Sequence, residues 1–321
     1  MTKPPEIAGA RTSGASVTDR EEEPVTVTSI EERLGESAEF VANLENGSEE
    51  WLNIRAAGIG GSEVGTICGL NPWESPFTLW AKKTGRIESS IPQNEAMEWG
   101  NRLEPVVLDK FADAHPELVV HRDVGTWAHK VRSWQIANPD AIFENPETGE
   151  VGVIEVKTAQ YEDAWSEGVP KHYEAQVLWY LQTFGLSRAH VVVLFHGNRY
   201  REYEVLSDPD AQDYILERAT YMKALIDSDT QPEFDGALST YQTVRALHPS
   251  IEDDEVELGW LGVQYFAIEE AYKAAESELT EVKSNILSAM GSAKRGLVEG
   301  DWTFSRQARG AGDPYLVVKR G

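Results

Sequence analysis

The stretch Ile136 to Thr158, IANPDAIFENPETGEVGVIEVKT, decides how the chain folds. Its second half, Val151 to Val156, is a short apolar, β-branched run between Gly149 and a polar exit, which is the pattern of a buried strand. Successive strand side chains alternate faces, so Glu155 and Lys157 share one face while Ile154 and Val156 take the other. Between the two halves Glu144-Asn145-Pro146-Glu147-Thr148-Gly149 is turn chemistry, with Pro presetting φ and Gly permitting φ > 0. A hairpin here returns the chain and brings Asp140 beside Glu155. Two carboxylates and an ammonium then converge where an apolar strand ends.

Buried charges of this kind shift their pKa or demand a partner. Oxygen donors in pairs suit Mg²⁺, with Mn²⁺ as a substitute, because Mg²⁺ takes one or two carboxylates and fills its shell with water and phosphate. Such an ion polarises a phosphoryl oxygen and activates a bound water. Lys157 could hold that water or offset charge developing on phosphorus. The competing reading is a surface Glu–Lys pair on an edge strand, which contributes little.

Composition bounds the rest. The chain has 321 residues, 41% of them hydrophobic and 26% charged, the profile of a globular protein with a sizeable core. Nothing approaches transmembrane length, and no basic-then-apolar leader is present. The single cysteine, Cys68, excludes a disulfide framework and a four-cysteine zinc site, so the expected location is cytoplasmic, with no membrane partner. A net charge of −25 argues against a general basic footprint for nucleic acid. Its distribution softens that objection: residues 1–50 hold twelve acids against four bases, and 251–290 hold ten against two. A locally positive groove on an acidic body remains open.

Along the chain, 1–28 reads as a disordered acidic tail, 29–231 as a core and 232–321 as a helical and hairpin extension. Ser29-Ile-Glu-Glu32 has capping-box spacing and predicts a helix over about 30–45. Ser48 caps a short helix through Arg55. In Arg55-Ala-Ala-Gly-Ile-Gly-Gly-Ser62 the glycines let backbone N–H groups approach an anion, and Ser62 is expected to cap the next helix. A flexible hinge is the equal alternative. A helix over 94–114 carries Ala96, Trp99, Leu103, Val107 and Phe111 on one face, with Pro105 expected to kink it. Glu104, at the edge of that face, is either a solvated carboxylate or one turned towards a metal. Leu118–His121, Gly125–Ala128 and Ser133–Ala137 read as strands meandering into Asp140. A helix over 171–184 holds Gln176 in an apolar stripe, where an amide wants a partner. Residues 191–195 and 200–205 form a hairpin, Asp208 caps a helix to about 226, and 232–249 shows little periodicity. Residues 254–290 make one long acidic helix or a pair, followed by a closing hairpin that interleaves aromatics with Arg306, Arg309 and Lys319.

Four signals stand in order: Arg55…Gly-Gly-Ser62-Glu63, Gly100-Asn-Arg-Leu-Glu104, Asn138-Pro-Asp140…Glu155-Val-Lys157 and Tyr173-Glu-Ala-Gln176. That order resembles the phage lambda-type exonuclease, or YqaJ viral recombinase, branch of the PD-(D/E)xK nucleases, over about residues 48–230. The resemblance implies an α/β restriction-endonuclease-like core, a mixed central sheet flanked by helices, here followed by the long helix and hairpin. It implies a Mg²⁺-dependent exonuclease acting on double-stranded DNA ends from the 5′ side and leaving a 3′ strand for recombination. Asp140 and Glu155 would hold the metal, with Glu104 adding a carboxylate directly or through water. Lys157 would serve the attacking water, Gln176 would orient the site, and Arg55 with Ser62 would grip a 5′-phosphate. Rings around DNA and a single-strand annealing recombinase are the partners it implies. Two other readings stand beside this one: a non-catalytic DNA-end or recombinase-partner module, and a structure-specific endonuclease. The 15-residue step from Asp140 to Glu155 requires an extended hairpin, and the acidic tail is outside the shared pattern.

Overall fold

The structure, a computed structural model, describes residues 34, 37–44, 48–88, 95–298 and 302–320. The expected tail over 1–28 lies outside the described residues. These fall into two units, one ending at Pro249 and the other beginning at Ser250.

The first unit opens with strand β1 (Ala38–Ala42), helix α1 (Glu49–Ala57), the two-residue strand β2 (Ile59–Gly60) and helices α2 (Gly61–Ile67), α3 (Pro76–Lys83) and α4 (Glu95–Ala114). Then come β3 (Val119–Arg122), β4 (Thr126–His129), β5 (Gln135–Ala137), β6 (Ala141–Glu144) and β7 (Val151–Ala159). Helix α5 (Lys171–Phe184), β8 (Arg188–Phe195), β9 (Arg199–Leu206), α6 (Pro209–Asp227) and α7 (Leu238–Leu247) complete it. The main sheet runs β3-β6-β7-β8-β9, with β7 and β8 parallel and the other pairs antiparallel. A second sheet, β1-β4-β5-β2, is likewise mixed.

The register of β6 on β7 places Ala141 opposite Ile154, so Asp140 and Glu155 meet at the next position. Alternation then divides the strand. Ile154 and Val156 pack with Val107, Leu108 and Phe111 of α4, whereas Val153 joins Val177, Leu178 and Leu181 of α5 in the larger core. Each such buried aliphatic or aromatic side chain contributes about 1.5–3 kcal/mol. α5 ends at Gly185, whose φ of 69° is the left-handed geometry of a helix C-terminus.

Several expectations need correction. The stretch expected as helix over 30–45 contains β1, which pairs antiparallel with β4 and buries Ala38 at its start. Its described residues alternate in burial with period two, as a paired strand does, while Ser29 to Glu32 lie outside the described residues. The three strands before Asp140 do not meander: β3 joins the main sheet beside β6, and β4 and β5 join the second sheet. The chain changes sheets at Asp123 and Gly125, both at positive φ. On α4, Ala96 and Trp99 are exposed and Leu103 is half-buried, so the expected face is buried only from Val107 onward. Residues 232–249 are not a plain connection, since α7 lies within them. Its buried face is polar, with the Thr243 and Thr78 hydroxyls 2.9 Å apart and Thr240 donating to Ser75 at 2.6 Å. Val244 and Leu247 continue the same face against the core, but hydroxyls at half of its positions weaken the hydrophobic period.

The second unit contains helix α8 (Trp260–Met290) and an antiparallel sheet of β10 (Arg295–Leu297), β11 (Trp302–Gln307) and β12 (Tyr315–Arg320). The helix starts at 260 rather than 254 because Gly259 takes a φ of 54°. No helix among the described residues is long and apolar enough to cross a membrane.

Candidate functional site

Three elements build the first cluster: the entry to β6, the middle of β7 and the second turn of α5. Asp140 is held because its Oδ2 accepts from the Val156 N–H at 2.7 Å across the hairpin. Glu155 is 2% exposed. Its Oε1 accepts from Lys157 Nζ and from Gln176 Nε2, each at 2.5 Å. Its Oε2 is buried with no hydrogen-bond partner. The Lys157 ammonium also sits 5.0 Å from the Tyr173 ring centroid. Gln176 therefore reaches the Glu155 carboxylate rather than serving a separate structural network.

Electrostatics sharpen the geometry. Burial pushes the Glu155 carboxyl up to about 8, and the Asp140 charge adds to it against the opposing pull of Lys157. Asp140 is raised too, by burial, with Lys157 and the Val156 N–H opposing. Glu104 on α4 is pushed up to about 7 by burial and then by Asp140, which shows that it lies within electrostatic reach of the pair. Burial would depress Lys157, but Glu155 and Asp140 outweigh it and raise its pKa. One ammonium faces three carboxylates, so the cluster is short of positive charge. An orphaned carboxylate oxygen within an all-oxygen acidic set fits a hard divalent cation. Among the described residues no group of three or more His, Cys, Asp or Glu side chains is placed to hold a metal ion, so the donors in reach of one ion are the Asp140–Glu155 pair, with Glu104 outside it. The donor set is an open one that water and a phosphate would complete.

The second cluster lies at the turn from α1 into α2. Arg55 Nη2 donates to Ser62 Oγ at 2.9 Å and pairs with Glu63 Oε1 at 3.1 Å. Lys83, from α3, pairs with the same Glu63 oxygen at 2.9 Å and donates to the Gly58 carbonyl at 2.8 Å. Ser62 does not cap α2, contrary to expectation. The cap is Gly60, whose N–H donates to Glu63 Oε2 at 2.8 Å, so the carboxylate three residues on does the capping work. Burial would raise the Glu63 carboxyl, but Lys83 and Arg55 outweigh it and hold it below the usual range. Two cations share one carboxylate, which leaves this cluster net positive and receptive to an anion.

Tyr180 joins the clusters. Its hydroxyl accepts from Gln176 at 3.0 Å and donates to the Asn138 carbonyl at 3.2 Å, two residues before Asp140. A Cβ on Gly61 would stand 2.4 Å from its ring, so glycine there is required by close helix packing. Gly65 meets the His172 backbone on α5 in the same way, at 3.0 Å from its Cα. Glycines 58, 61 and 65 are thus packing residues, and the flexible hinge is not what forms. Glu63, Lys83 and Tyr180 were missed as site residues. Glu63 carried a signal in its spacing of three from Gly60, and Tyr180 in its spacing of four from Gln176 on the same helix. Lys83 comes from a distant part of the chain.

Residues 50–187 match the family model described as the YqaJ-like viral recombinase domain. The chain is 29% identical over 276 residues to the protein YqaJ of Bacillus subtilis, spanning 81% of this chain and 84% of that one. Among solved structures it is similar to an alkaline exonuclease from Laribacter hongkongensis, at 17% identity and a TM-score of 0.47, covering 63% of this chain and 100% of the other. A phage-related exonuclease from Haemophilus somnus is similar at 13% identity and a TM-score of 0.41, over 54% of this chain and 96% of that one.

Proposed function

We propose that the YqaJ-like viral recombinase domain carried by this chain is a metal-dependent deoxyribonuclease, digesting linear duplex DNA from 5′-phosphorylated ends and leaving 3′ strands for recombination. The observation that carries this reading is the buried, unpartnered Oε2 of Glu155 beside Asp140, with Lys157 and Gln176 pinning the other oxygen. Asp140 and Glu155 would hold Mg²⁺ or Mn²⁺, and Glu104 would reach the ion through water. When bound, the ion polarises the scissile phosphate and makes a bound water more acidic.

The protein's own groups do the positioning. Lys157, charged at neutral pH because of its two acidic neighbours, orients the attacking water and offsets charge that builds on the phosphate oxygens. Gln176 fixes the Glu155 rotamer and is itself aligned by Tyr180. Arg55 and Ser62 take the terminal 5′-phosphate, with Lys83 and Glu63 setting the Arg55 position. The 3′ strand would pass to a single-strand annealing recombinase.

Digestion of linear duplexes with and without a 5′-phosphate, in Mg²⁺ or EDTA, tests this. Release of nucleotides should require the metal and favour the phosphorylated end. Arg55→Ala should erase that preference by about tenfold, the size of one charge-assisted contact, while leaving slow digestion of hydroxyl ends. Metal-independent release, or equal loss on both ends, would sink the assignment.

A further inference from the structure

α8 is 31 residues long, about 46 Å at 1.5 Å per residue, and has no buried residue. Leu261, Tyr265, Ile268, Ala275, Leu279 and Ile286 belong to a seam whose remaining members are Tyr272, Val282 and Ala289. Successive members alternate spacings of four and three from end to end, and every one is apolar. Leu261, Tyr265, Ile268, Tyr272, Leu279 and Val282 are each between 46% and 65% exposed. A 4–3 repeat held over about four heptads is the pattern of a helix that supercoils with another helix, not one that lies on a sheet. Glycines at positive φ end it on both sides.

We infer that α8 pairs antiparallel with α8 of a second copy of this chain. Volume selects the orientation. A parallel pair would stack Tyr272 on Tyr272 and Ala275 on Ala275, placing a crowded layer next to a void. An antiparallel pair centred between residues 273 and 274 sets Tyr272 against Ala275, Ile268 against Leu279, Tyr265 against Val282 and Leu261 against Ile286. Each layer recurs twice by the two-fold, so the face is self-complementary without a different partner. Charge agrees. In this register the flanking Glu269, which also pairs with Lys273 in its own helix at 3.1 Å, comes opposite Lys283 twice. Only Glu276 meets its own copy, at the exposed flank. The inference stands independently of the nuclease reading, because none of these residues belongs to either cluster.

Sedimentation of the full chain tests it, with Ile268→Asp/Leu279→Asp as the comparison. The wild-type particle should have twice the mass of the variant; equal masses would overturn pairing with a second copy, whatever else covers the seam. A second test does not depend on how the aspartates are tolerated. In a Cys68→Ser background, chains carrying Leu261→Cys and chains carrying Ile286→Cys should form a mixed disulfide when combined and none alone. Disulfides within each single population would overturn the antiparallel arrangement.

Discussion

The two clusters use the same parts to opposite effect. Each has a glutamate gripped by a lysine: the buried Glu155 by Lys157, and the half-buried Glu63 by Lys83. At Glu63 a second cation, Arg55, joins in, and the carboxyl falls below its ordinary range. At Glu155 two further carboxylates crowd in, and it rises to about 8. The lesson is that the sign of the surplus, not the presence of a buried ion pair, determines what a site will accept. A surplus of cation attracts a phosphate; a surplus of carboxylate attracts a metal. Tyr180, touching Gly61 on one side and Gln176 on the other, sets the distance between them.

The strongest way to break this contrast is to remove the charge surplus at the first cluster. Asp140→Asn and Glu155→Gln should each lower nuclease turnover by about 10³-fold or more, the scale of losing a metal or an aligned electrostatic contact. Glu155→Gln should also melt higher than the parent in EDTA, since a neutral amide avoids burying a charge. Turnover at the parental rate would remove the metal from the account. At the second cluster the outcome should be the reverse. Lys83→Met strands Glu63 and should cost about 3 kcal/mol of stability, read by urea unfolding; an unchanged midpoint would mean Arg55 alone suffices.

A pH series sharpens the comparison further. Because the folded-state pKa of Glu155 lies above its unfolded value of 4.5, the native chain binds more protons than the unfolded one between those limits. Metal-free stability should therefore fall as pH rises from about 5 to 8, by at most about 1.4 kcal/mol per pH unit for this one group. Added Mg²⁺ should restore it, with a thermal shift that grows over the same interval. A shift that shrinks with pH would contradict the raised carboxyls. The smallest effect belongs to the bridge. Tyr180→Phe removes two hydrogen bonds but keeps the ring against Gly61, so about 1 kcal/mol of stability should be lost. The measurable consequence should be a fall in turnover larger than any change in substrate affinity.

Much of the fold was legible because its signals are local. Val151–Val156 announced a buried strand, Gly185 ended α5, and Asp208 capped α6 through the Ala211 N–H at 3.1 Å. Where a segment's neighbours decided its state, local signals misled. Residues 38–42 became a strand because β4 offered an edge, and α7 formed because Thr240 and Thr243 found hydroxyl partners on and beside α3. The site divides in the same way. Asp140, Glu155 and Lys157 could be read from strand alternation and turn chemistry. Ser62 was misassigned as a cap because its neighbour three residues from Gly60, Glu63, reaches back to do that work.

From its sequence alone, this protein commits Glu155 and Lys157 to one face of a buried strand and brings Asp140 back beside them, because strand pleat and hairpin return depend only on nearby residues. The sequence alone also lays a heptad stripe along 261–289, since helical period is a property of spacing. What only the tertiary structure decided is the balance of charge around each carboxylate. Lys83 stands 20 residues from Glu63, and Gln176 stands 21 from Glu155. Which ions a buried group keeps for company depends on distances across the core, and those exist only once the helices have packed.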